Sequence, residues 1–107
     1  MDLSEVFDKF CTLIKREMTD ISYKTWIHDN TRLVAINGET AYFEYIDQLH
    51  KNMLNRYQIL ITKYINLVVG KKLNVVFVSK EEAMNNHKVM NLREEWRARR
   101  IKSIFYE

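Results

Sequence analysis

Two alternating, β-prone runs, TRLVAI (31–36) and ETAYFEYI (39–46), flank the dipeptide Asn37-Gly38. Asn-Gly readily supplies the positive φ angles of a type I′ turn, so the segment predicts a β-hairpin. The hairpin constrains the whole chain because there is so little other punctuation. Gly70 is the second of two glycines and proline is absent, which leaves little room for long irregular loops. A chain of 107 residues is the size of one domain with one core.

Helical periodicity brackets the hairpin. Ser4 is placed to cap a first helix, with Glu5 and Asp8 near its positive end, and Val6, Phe7, Phe10, Cys11, Leu13, Ile14 and Met18 follow helical spacing. These apolar residues form two adjacent stripes, Phe7/Cys11/Ile14/Met18 and Val6/Phe10/Leu13. Either both are core or one meets a partner. In ISYKTWIHDN (21–30), Tyr23, Trp26 and Ile27 sit at i, i+3 and i+4 and predict one face of a short helix. So short a helix does not stand alone in water and must be docked.

After the hairpin, Asp47 opens a long helical pattern from Leu49 to Val68, closed by Gly70. LNVVFV (73–78) then reads as a third strand. A strand that follows a crossover helix returns parallel to the one before it. The expected fold is therefore α+β, in the order ααββαβ, with a three-stranded sheet over residues 1–79.

Residues 80–90 read as a linker. Asn91 and Glu94 form a capping box for a last helix over 91–107. Its apolar residues lie on two sides, Leu92 and Trp96 against Ala98, Ile101 and Phe105. The net charge of +3 is concentrated from Lys88 to Lys102: Lys88, Arg93, Arg97, Arg99, Arg100 and Lys102 outnumber Glu94 and Glu95. Arg93, Arg97, Arg99, Arg100 and Lys102 around Trp96 could contact phosphate and stack a base, which makes DNA binding by this helix the rival reading of function.

SYKTWI, the NGET turn before an alternating strand, and RYQILITKYINLVVGKKLNVVFV carry a resemblance. From Leu3 to Val78 the chain resembles domain I of the bacterial replication initiator DnaA, a KH-like ααββαβ module that binds other proteins. The resemblance implies a non-enzymatic module of bacterial or phage replication initiation. Its partners would be replication proteins such as an initiator, a helicase or a regulator, with weak homodimerisation. It also implies that Trp26 is a packing residue. Phe7, with Cys11 one turn on, stands where the family carries an aromatic used for self-association. Ser22 and Leu49 stand where some members place an acidic residue and an aromatic that meet the replicative helicase. With Tyr23 and His28 of the short helix, these are the candidate protein-contact residues.

The chain departs from a whole initiator. It has no G-x-x-x-x-G-K-[ST] phosphate loop, and its tail lacks the Pro, Gly and polar bias of a linker. A stand-alone domain with its own C-terminal helix is the expectation. Two isolated glycines cannot form the GXXG loop of an RNA-binding KH domain.

No residue set predicts catalysis. His28, His50 and His87 are widely spaced and lack partners at zinc-ligand spacing. Cys11 lies among apolar neighbours, and Glu81-Glu82 and Glu94-Glu95 sit in polar contexts. Neither a cofactor nor a metal is expected. A lone cysteine, no apolar run near ~18 residues and no signal peptide together suggest a cytoplasmic protein away from the membrane.

Overall fold

The structure, a computed structural model, describes residues 2–84. The expected basic helix over 91–107 and its candidate DNA-contact residues lie outside them. Among the described residues the fold is α+β with one three-stranded sheet.

Helix α1 (Leu3–Ile14) begins two residues earlier than Ser4 would place it. Asp2 is the cap, its Oδ1 accepting from the Glu5 N–H at 2.8 Å. The helix tightens into a 3₁₀ turn at Lys15–Glu17, and Met18 is extended. Val6, Phe10, Cys11 and Ile14 are buried, so residues of both predicted stripes enter the core.

Thr19 caps a single α-turn, α2 (Asp20–Ser22), which widens into a π-helix, Tyr23–His28. A wide turn leaves carbonyls without regular partners, and side chains take them up. Asn30 Nδ2 donates to Thr25 O at 2.7 Å, and Trp26 O accepts from both Thr31 Oγ1 and His50 Nε2. Ile27 is the residue of this segment that is fully buried.

The hairpin forms, with its turn one residue later than expected. Strand β1 (Arg32–Asn37) and strand β2 (Thr40–Tyr45) are antiparallel, Asn37 pairs with Thr40, and Gly38-Glu39 is the loop. Gly38 takes φ +61° at the first loop position, where a glycine is free of the Cβ penalty. The register slips at Val34: Leu33 pairs with Phe43, but Ala35 pairs with Tyr42. This bulge puts Leu33 and Ile36, three residues apart, both toward the helices.

The single long helix expected after Asp47 is two. Asp47 does cap α3 (Gln48–Arg56), accepting from His50 N at 2.8 Å. The chain then breaks at Tyr57 (φ −99°, ψ 7°) and resumes as α4 (Gln58–Val69). No glycine or proline marks the break. Packing accounts for it, since α3 reaches the π-helix and β2 while α4 lies along α1 and β3. Gly70 ends α4 in the left-handed conformation, φ +81°, as its position predicts.

Strand β3 (Asn74–Ser79) runs parallel to β2, giving the order β1-β2-β3. The core between sheet and helices is built on Phe10, Phe43, Ile14, Ile27, Leu54, Ile61 and Ile65, with the Phe10 and Phe43 rings 5.3 Å apart.

The segment expected as linker begins as a helix at residues 80–84. Ser79 and Glu82 form a reciprocal capping box: Glu82 N donates to Ser79 Oγ at 3.1 Å, and Ser79 N donates to Glu82 Oε1 at 3.0 Å. The Ser79 N–H, and secondarily its hydroxyl, lower the pKa of the Glu82 carboxyl from its ordinary value.

Candidate interaction surfaces

The contact residues proposed from sequence fall in two regions of the described surface. The first is a cleft of about 580 Å³ where the start of α1, the end of the π-helix and β1 meet. Phe7 and Leu33 give it apolar walls. His28, Asp29, Arg32 and Glu44 supply charge or hydrogen-bonding groups, and Ala83 and Met84 close one side. His28 Nδ1 and Asp29 Oδ1 are 2.7 Å apart; because a carboxylate only accepts, the imidazole proton is on Nδ1.

Four of the residues proposed from sequence converge on this side. Phe7 and His28 line the cleft, the Tyr23 ring lies 5.8 Å from that of His28, and the Tyr23 hydroxyl and the Cys11 thiol influence each other's protonation. Cys11 itself is buried, 5% exposed. It therefore offers no contact surface, and the strip proposed on the first helix is reduced to the half-buried Phe7. Burial pushes the Cys11 thiol up to about 11, against a smaller opposite effect of the neighbouring Tyr23 hydroxyl, and burial together with the neighbouring thiol pushes Tyr23 up to about 12. Both groups are protonated at neutral pH. Ser22 is half-buried, its N–H held by Thr19 Oγ1 at 3.2 Å.

Leu49 belongs to a second surface, around the start of α3. It is 63% exposed, and Ile46, just before the Asp47 cap, is 60% exposed. His50, the residue after Leu49, is 1% exposed. Its Nδ1 accepts from the Ile46 N–H at 3.0 Å, and its Nε2 is 2.8 Å from Trp26 O and 2.9 Å from Thr31 Oγ1. A backbone N–H can only donate and a carbonyl can only accept, so His50 is neutral with its proton on Nε2. The Trp26 indole is half-buried and stacks on the His50 ring at 6.1 Å. Trp26 thus packs at the edge of the fold, against His50.

Sequence reasoning missed both Ile46 and His50. The alternating pattern assigns Ile46 to the end of a strand. His50 stands three residues after the Asp47 cap, a place that marks the first helical turn and gives no sign of the long-range bonds its ring makes. Among the described residues there is no cluster of three or more His, Cys, Asp or Glu able to hold a metal ion, and no helix is long and apolar enough to cross a membrane. No known protein-family model matches the sequence.

Proposed function

We propose that the chain is a non-enzymatic protein-interaction module of bacterial or phage DNA replication initiation, working in the cytoplasm, with the KH-like fold and recruiting role of a DnaA domain I. The observation that carries this reading is the pair Ile46 and Leu49, both largely exposed at the start of α3 beside Trp26. Exposed large apolar side chains on a folded, hydrogen-bonded frame suit a protein partner. Leu49 also stands where the resemblance places a helicase-contacting aromatic. The order of elements, with β3 parallel to β2, supports the same reading.

Titration of the chain against purified replicative helicase and, separately, purified DnaA tests it. Binding to either that is lost on Leu49→Asp or Ile46→Asp, with the thermal melt unchanged, supports the proposal. Absence of binding to both, or binding that ignores these substitutions, refutes this placing of the surface. Binding to duplex or single-stranded DNA that falls steeply with salt would instead favour the rival reading through Arg93, Trp96, Arg97, Arg99, Arg100 and Lys102.

A further inference from the structure

The two edges of the sheet are treated differently. On β1 the bulge at Val34 breaks the regular ladder, and a bulge is one of the devices by which proteins discourage another strand from adding to an edge. The β3 edge has no such device within the strand. Its register against β2 is unbroken from Thr40↔Asn74 to Tyr45↔Ser79, and NVVFVS contains neither proline nor charge.

The bonding pattern shows which groups this edge presents. Asn74 N–H donates to Glu39 O at 2.7 Å, toward β2. Alternate residues of a parallel ladder face the same neighbour, so Asn74, Val76 and Val78 bond to β2, whereas Val75, Phe77 and Ser79 turn their N–H and C=O outward. Ser79 N–H is already taken by Glu82 Oε1. Among the described residues no backbone bond reaches the outward groups of Val75 and Phe77. The edge therefore offers two donors and two acceptors and is closed at one end by the capping box.

Those four groups are self-complementary. We propose that β3 pairs with β3 of a second copy, antiparallel about a two-fold axis at Val76, joining two three-stranded sheets into one of six strands. Opposed residues in an antiparallel ladder share both bonding direction and sheet face, so the axis must pass through a residue. Centring on Val76 pairs Val75 with the partner copy's Phe77, and the reverse, using all four free groups. Centring on Phe77 would instead oppose Val75 to Ser79, whose N–H is occupied.

The side chains agree with this register. Val75 and Phe77 already face the core, which the enlarged sheet extends. Val76, 40% exposed on the opposite face, meets its own counterpart in the closely spaced, non-hydrogen-bonded pair. The contact is isologous and closes at two subunits. It uses neither Ile46 nor Leu49.

Sedimentation velocity and amide exchange on the full chain test the proposal. The wild type should sediment faster as concentration rises. Val76→Lys and Val76→Glu should each raise the dissociation constant by about tenfold or more, because like charges then stand directly opposed, and an equal mixture of V76K and V76E should recover the dimer. Without any mutation, the Val75 and Phe77 amides should gain protection with concentration while the Val76 amide, bonded to β2, is protected throughout. Phe7→Ala should leave association unchanged. A wild type that stays monomeric at ~1 mM, V76K that associates like wild type, concentration-independent exchange at Val75 and Phe77, or association abolished by Phe7→Ala alone would each overturn it.

Discussion

The imidazole of His50 donates to the carbonyl of Trp26 at 2.8 Å, tying α3 to the π-helix across 24 positions of sequence. The same ring accepts the Ile46 N–H. His50→Leu removes both bonds and leaves a part-buried donor and acceptor with fewer partners, so it should destabilise the fold by about 2 kcal/mol or more. Thr31→Val, which removes one donor to Trp26 O, should cost about 1 kcal/mol. Urea denaturation ranks the two, and amide exchange at Ile46 should rise in the His50 variant alone.

Ile27 and Trp26 are neighbours with opposite fates. Ile27 is fully buried, and Ile27→Ala should cost about 3 to 4 kcal/mol through lost transfer energy and a cavity. Trp26 stacks at the edge of the fold, so Trp26→Ala should cost less than about 2 kcal/mol despite removing the larger side chain. Denaturation midpoints of the two variants check this order.

Alkali should weaken the fold through Cys11 and Tyr23. In the unfolded chain these groups lose their protons near 9 and 10, whereas the native state holds them to about 11 and 12. The native state therefore binds more protons in that window, and stability falls as pH rises from about 9. Urea midpoints at pH 8, 9.5 and 10.5 should decline in the wild type and decline less in a Cys11→Ala, Tyr23→Phe variant. Alkylation of the native thiol at pH 8 should also be far slower than in denaturant.

At Gly70 the φ of +81° rather than space is limiting, since an added Cβ would meet nothing within 4 Å. Gly70→Ala should cost about 1 to 2 kcal/mol. Gly70→Asn should cost less, because Asn visits the left-handed region more readily. Thermal melts of the two variants test whether backbone conformation alone sets the penalty.

Local rules made the main elements readable. Asn37-Gly38, Asp47 and Gly70 each act within a few residues of themselves, and the hairpin, the start of α3 and the end of α4 follow from them. The parallel β3 follows from crossover geometry. What was hidden depended on groups far apart in sequence. The π-helix is the clearest case. It turns through a smaller angle per residue than an α-helix, so three residues fall further short of a full turn while four come closer to completing one. Ile27 stays in line with Tyr23, and Trp26 swings away from the face that helical spacing assigned to it. The carbonyls that the wide turn frees are met by Asn30, Thr31 and His50, an arrangement no local pattern announces. The break at Tyr57 is similar, because it is set by the different surfaces that α3 and α4 cover. The Ser79 and Glu82 box, by contrast, was plainly written in S-K-E-E and was overlooked. Of the candidate surfaces, Phe7, Tyr23, His28 and Leu49 could be found from sequence, while the burial of Cys11 and the exposure of Ile46 required the fold.

The bulge at Val34 also says where this chain can change length. Removing that residue would leave Leu33 opposite Phe43, Ala35 opposite Tyr42 and Ile36 opposite Ala41, the pairs that already exist. Loss of a residue from the regular part of β1 would instead turn the remainder of the strand inside out. Position 34 is thus a site at which relatives of this protein could differ by one residue and keep the same core, and those lacking it would carry a straighter, less protected β1 edge.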